Sequence, residues 1–191
     1  MASPDTALRR ADSAGLSALW PRAVPTLTVT AIEPMQVLPL RDAPGDGQAA
    51  LTRVLAALGL PALPQPGQAS GRGPGLICQR TSETMLLTSD GRLTAALLDA
   101  RRPLAGARAW ALDLSAGTLV VELHGSALDA LFSRLLDADA LPRTQGQASR
   151  MRLADIAVTV WRKAPDCAQL LCDRAHSHYL ARWLNYAARA L

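Results

Sequence analysis

The chain has 191 residues, 49% of them apolar, which is ample for the core of one large domain or of two small, intimately packed ones. Its net charge of +4 arises from 20 basic and 16 acidic residues scattered along the sequence, with no basic run able to track a phosphate backbone, so nucleic-acid binding is disfavoured. No apolar run reaches the ~18 residues of a membrane span and the start lacks a charged segment followed by an apolar one, which leaves the cytoplasm as the expected compartment.

Residues 1–25 read as a polar amino-terminal arm with an Ala/Leu-rich patch from Leu16 to Trp20, broken by Pro21 and Pro25. The β-branched alternation of TLTVTAI predicts a strand over 26–32, and MQVLPLR continues extended, with Pro39 demoting it to a sheet edge. A helix is predicted from GDGQAALTRVLAALGLP: Leu51, Val54, Leu55 and Leu58 share one face, and Gly59 with Pro61 ends it. Residues 61–75 hold four prolines and four glycines and read as an exposed loop that can form no core. Two antiparallel strands joined around Ser82 and Glu83 follow, then a short helix in LTAALLDARR that Pro103 stops.

AWALDLSAGTLVVELHG predicts two strands with Ala116 and Gly117 at the turn. Ser126 is placed to cap the next helix, with Asp129 at its third position and Leu128, Leu131, Phe132, Leu135 and Leu136 on its buried face. Three meander strands come next, with Ile156, Val158 and Val160 on one face of the middle one. A closing helix has Tyr179, Leu180, Trp183, Leu184, Ala187 and Leu191 along its apolar side. Two halves, about 26–105 and 106–191, thus share the order strand, helix, hairpin, helix. The expected fold class is α+β: a single pseudo-duplicated domain over 26–191 with helices packed on one side of antiparallel sheets.

Chemistry-bearing clusters are few. Cys167, Cys172, His176 and His178 fall within twelve positions, but the cysteines have four residues between them and the histidines one, so on a helix the two rings would point about 200° apart. The spacing therefore argues against a metal site. Together with Cys78, in GLICQR, these cysteines suit reduced thiols that act as small core hydrophobes. HGSAL, residues 124–128, reads as a strand running into a helix cap rather than a nucleophile turn, and GQASGRGPG lacks the Gly-Lys-Ser/Thr ending of a phosphate loop. Asp137 with Asp139 and Asp113 with Asp155 are the carboxylates worth following, Asp155 most of all because it lies at an expected hairpin turn where a carboxylate could also meet a ligand. No catalytic, cofactor-binding or metal-binding residue is assigned.

The segments EPMQVLPLR, RVLAALGLPALPQPG, ALDLSAGTLVVELHGSALDALFSRLLDADA and RLADIAVTVWRK, followed by AQLLCDRAHSHYLARWLNYA, resemble in order and spacing the gamma subunit of heterotetrameric sarcosine oxidase. The likeness rests on Gly125, Ser126, Asp129 and Leu131 before and in a helix, Trp161-Arg162 at a strand end, and Tyr179, Trp183 and Leu184 in the last helix. It implies a fold akin to the folate-binding domain of aminomethyltransferases and a non-catalytic role beside alpha, beta and delta subunits. FAD, FMN, NAD, zinc and tetrahydrofolate would then sit on those partners, and none on this chain. Relatives tend to have an acidic pair followed by Trp where this chain reads Ser82, Glu83, Thr84, Met85, and a histidine after the serine of ALDLSAGT that is missing here. The alternative expectation is a stand-alone tetrahydrofolate-dependent one-carbon transfer protein, with Asp155 orienting the folate amine.

Overall fold

Alternating apolar residues need a sheet to pair in and a helix to cover one face, and the chain meets that need twice over. A computed structural model describes residues 26–32, 35–42, 46–71, 73–99, 109–189 and 191. The arm over 1–25 and the helix stop at Pro103 lie outside the described residues.

The first sheet has the strand order β1-β7-β10-β9-β8, formed by β1 (Thr28–Ala31), β7 (Thr118–His124), β10 (Cys167–Asp173), β9 (Ile156–Ala164) and β8 (Ala148–Leu153). Its central strands are antiparallel, with Leu170 opposite Val121 on one side and Val160 on the other. Leu119, Val121, Leu123, Ile156, Val158, Val160, Ala168, Leu170 and Cys172 point to one core face. That face is covered by α3 (Leu128–Leu135) through Leu128, Leu131 and Phe132, and by α4 (Ser177–Ala188) through Leu180, Ala181, Leu184 and Ala187. A single 3-10 turn, Arg174–His176, leads into α4, and the Asp173 carboxylate caps it by accepting from Ala175 N at 2.9 Å.

The second sheet has the order β3-β4-β5-β2-β6, formed by β3 (Ala69–Ser70), β4 (Gly75–Arg80), β5 (Glu83–Thr88), β2 (Gln36–Asp42) and β6 (Ala109–Ala111). Leu38, Leu40, Leu76, Leu86 and Ala111 form its core face, covered by α1 (Asp46–Ala57) through Leu51 and Leu55 and by α2 (Gly91–Asp99) through Leu97. Helix α1 ends as Gly59 and Pro61 predict: Leu60 N bonds Leu55 O and Gly59 N bonds Ala56 O, the paired closure of a Schellman motif.

Four expectations are corrected. Strand β2 is interior, not an edge: it lies between β5 and β6, and at Pro39, which has no N–H to give, the bond on the β6 side runs the other way, with Leu112 N donating to Pro39 O at 3.1 Å. The 61–75 loop carries β3 and also sends Leu63 against the core, since its prolines stop a helix without preventing burial. Ser126 does not cap α3; Ala127 is the cap residue and makes no side-chain bond, while Ala127 N reaches back to Thr26 O at 3.0 Å. Leu191 lies beyond α4 and is exposed.

Strands β6 and β7 flank the turn predicted at Ala116 and Gly117, which spans Ser115–Gly117, but they join different sheets. The reason becomes plain when the two sheets are compared. In chain order the first half runs β1, β2, α1, β3, β4, β5, α2 and the second β6, β7, α3, β8, β9, β10, α4. Each sheet places those strands in the same order, except that the opening strands are exchanged: β1 pairs with β7, and β6 pairs with β2. The halves in sequence and the compact units in space therefore differ. Among the described residues, one unit gathers 26–32 with 116–145 and the segment from 150 onward, the other those from 35 to 115 with 146–149.

A short repeat marks the same duplication. Gly67-Gln68-Ala69-Ser70 recurs as Gly146-Gln147-Ala148-Ser149, each after an Ala-Leu-Pro at residues 62–64 and 140–142. The two copies cross each other: Gln68 pairs with Gln147, Ala69 N donates to Gly146 O at 2.6 Å, and Ala148 N donates to Gly67 O at 2.9 Å. Both glycines have positive φ, 79° and 85°, which a side chain would strain.

Candidate functional site

Polar chemistry concentrates on the face of the first sheet opposite its helices, because period-2 alternation sends there the residues between the core positions. Glu122 on β7, Lys163 on β9 and Gln169 on β10 meet at one carboxylate oxygen: Lys163 Nζ lies 3.0 Å and Gln169 Nε2 3.1 Å from Glu122 Oε2. Lys163 also stands over the Trp161 ring, 5.6 Å from its centroid. Gln169 is buried and its Oε1 has no partner among the described residues, an acceptor left open in an otherwise satisfied group. At the rim, His124 Nε2 is 3.2 Å from Asp166 Oδ2, and Cys167 sits directly across from His124. Burial, reinforced by the Glu122 charge, pushes the Cys167 thiol up, so it is not an activated nucleophile.

Trp161-Arg162 is a strand-end pair with divided roles. Trp161 points to the polar face just described, while Arg162, buried on β9, ties that strand to α3 and to the β9–β10 turn: Nη1 is 2.7 Å from Asp129 Oδ1, and Nη2 donates to Pro165 O. Asp129 thus serves as a tether for a buried cation rather than as a capping carboxylate. Gly125, at φ 147°, lets the chain turn from β7 into α3 directly beneath β1, where a Cβ would collide with the Thr26 carbonyl and come within 2.9 Å of Leu27 Cα.

The metal candidates fall on three successive elements, the cysteines on β10, His176 in the 3-10 turn and His178 in α4. Cys167 and Cys172 are an odd number apart on β10 and occupy opposite faces; Cys172 is in the core, where burial pushes its thiol up to about 12. His176 and His178 are exposed at the start of α4, and among the described residues no three His, Cys, Asp or Glu side chains cluster to hold a metal. Asp137 accepts from Asp139 N at 3.2 Å in an exposed turn. Asp113 accepts from Ser115 N and Oγ, and Ser115 Oγ in turn accepts from Val37 N at 3.0 Å, so this pair closes the strand that the absent histidine would have followed. Asp155 does lie at the β8–β9 turn, exposed, with Tyr179 OH donating to Oδ2 at 3.3 Å. In the first hairpin, Ser82 O accepts from Asp42 N, and Glu83 pairs with Arg41 at 3.1 Å.

Among the described residues, two apolar features are exposed. Trp110, Leu112 and Leu114 alternate along β6 and the extended residues after it. On α4, Tyr179, Arg182, Trp183 and Tyr186 line a hollow of about 450 Å³. No helix among the described residues is long and apolar enough to cross a membrane.

The architecture places the chain among α+β proteins with the aminomethyltransferase fold. Its structure resembles the glycine cleavage system aminomethyltransferase T from Bartonella henselae, with a TM-score of 0.61 at 14% identity over 93% of this chain, which spans about half, 49%, of that one. It is also similar along its entire length to a chain of the heterotetrameric sarcosine oxidase from Corynebacterium sp. U-96, solved in complex with pyrrole 2-carboxylate. There the TM-score is 0.79 and the identity 25%, covering 100% of this chain and 95% of that one. The resemblance to heterotetrameric sarcosine oxidase read from the sequence is borne out, as is the α+β fold. No family's sequence pattern matches the chain, and no curated protein sequence matches it.

Proposed function

We propose that the chain is a gamma-type, non-catalytic subunit of a heterotetrameric sarcosine oxidase-type complex, which oxidatively demethylates sarcosine or a related secondary or N-methyl amine. The observation that carries this reading is the length-for-length likeness to one chain of such an enzyme, 100% of this chain against 95% of that one. In this reading alpha, beta and delta subunits bear the FAD, FMN, NAD, zinc and tetrahydrofolate.

Affinity purification of the tagged chain from its native host, with absorbance recorded on the eluate, tests the reading. The expected product carries larger chains, flavin absorbance and sarcosine-dependent peroxide formation. A colourless, monomeric product would overturn it. Saturable tetrahydrofolate binding by the isolated chain would instead favour the one-carbon transfer reading.

A further inference from the structure

Helix α4 has more on its surface than its packing requires. It buries Leu180, Ala181, Leu184, Ala187 and Ala188, and α2, at the equivalent place in the other repeat, covers its own sheet with no aromatic residue at all. Yet both tyrosines of the chain and one of its four tryptophans lie within eight residues of α4, at Tyr179, Trp183 and Tyr186. Trp183 stands edge-on to Tyr186 at 5.8 Å and tilted to Tyr179 at 6.3 Å, and Tyr186 remains 71% exposed.

Arg182 emerges among these rings. It is exposed, and among the described residues it has no ion-pair partner, unlike Arg41, Arg152 and Arg162. From Arg174 to Leu191 there is no Asp or Glu, whereas Arg182, Arg189 and two histidines are present. Asp155 is the carboxylate bonded at the edge of the stripe, and it is engaged by Tyr179. Exposed Trp, Tyr and Arg together are the composition of interface anchors.

We infer that the Tyr179–Tyr186 stripe docks a segment of a partner protein that sets a carboxylate against Arg182 and an apolar side chain in the hollow lined by Trp183 and Tyr186. Charge selects this occupant. A second copy of the chain would bring Arg182 and Arg189 against their own kind across a two-fold axis. Residues 1–25 of this chain contain Arg9, Arg10 and Arg22 against Asp5 and Asp12, so they bring no net negative charge. The inference rests on the subunit reading above and names the surface through which it would act.

The full-length tagged chain, purified from its host as wild type and as Arg182→Glu, Arg182→Lys, Tyr186→Ala and Arg150→Glu, tests it. The three positions, Arg182, Tyr186 and Arg150, are all solvent-facing, so folding is retained, and circular dichroism of each variant verifies that. Arg182→Glu and Tyr186→Ala are expected to lower the co-purified partner about tenfold or more, and Arg182→Lys and Arg150→Glu to leave it near wild type. Undiminished partner with Arg182→Glu, from a wild type that does bring down flavin chains, overturns the docking surface and leaves the subunit reading standing. A partner lost with Arg182→Glu that carries no flavin supports the surface and overturns the subunit reading. Two further results would overturn the inference: a wild-type dimer that Tyr186→Ala dissociates, or acrylamide quenching of Trp183 in the isolated chain that rises only when residues 1–25 are removed.

Discussion

At Arg162 the chain commits a charge to its interior with a single carboxylate and one carbonyl to answer it. The guanidinium is buried, its Nε has no partner among the described residues, and Asp129, which answers Nη1, has a side chain 79% exposed. The two ends of this pair should therefore differ in their response to removal. Asp129→Ala strands a buried cation and is expected to cost about 3 kcal/mol, whereas Arg162→Met leaves only a solvated carboxylate and one carbonyl behind and should cost about 1 kcal/mol. Chemical denaturation of both variants checks the order, and a larger loss for Arg162→Met would refute it. Cys172 supplies a pH signature. Its thiol titrates near 9.0 when free and about 12 when folded, so the folded state holds the proton through that window. Stability should be unaffected below about pH 9 and fall by up to about 1.4 kcal/mol per pH unit above it, a slope that Cys172→Ala should lack in urea melts at about pH 8 and pH 10.5.

Among the elements, helices were the most legible from sequence. Leu51, Val54 and Leu55, and Leu128, Leu131 and Phe132, repeat at helical spacing and do face their sheets. The meander was legible as well, because Ile156, Val158 and Val160 alternate and Asp155 marks the turn. Pairing partners were not, since alternation fixes which face a strand buries but not which strand lies beside it. That is why Pro39 was read as an edge marker and why the turn at Ser115–Gly117 concealed a change of sheet. Of the functional surface, Trp183 and Tyr179 were visible as parts of an apolar face, but Arg182 and Tyr186 were not, for a side chain left over after packing looks in sequence like any solvated one. The two kinds of glycine separate in the same physical terms. Gly67→Ala and Gly146→Ala meet nothing closer than 3.6 Å and should each cost about 1 kcal/mol for the positive φ alone. Gly125→Ala must also displace the backbone at Thr26 and Leu27, and should cost about 3 kcal/mol or more; melting temperatures of the three variants, with Gly125→Ala lowest, are the check.

Across the whole molecule, the duplication was sensed from element order but its proof, the recurring Gly-Gln-Ala-Ser, is four residues long and acquires meaning only when Gln68 is found beside Gln147. If the crossing of these copies is a shared device, Gly67→Ala and Gly146→Ala should be non-additive, with a double variant losing less than the sum of the two by about 0.5 kcal/mol or more in a double-mutant cycle. Full additivity would show that each copy stands alone. The exchange of opening strands has its own consequence, one of timing. Strand β1 leaves the ribosome early, but β7, its only neighbour in the sheet, follows about ninety residues later, which at ordinary elongation rates is a wait of about 5–20 s. During that interval β1 is an unpaired strand in a crowded cell, and its sequence answers the hazard: Thr-Val-Thr-Ala is four residues long with a single large aliphatic side chain, too short and too polar to recruit a wrong partner before the right one has been made.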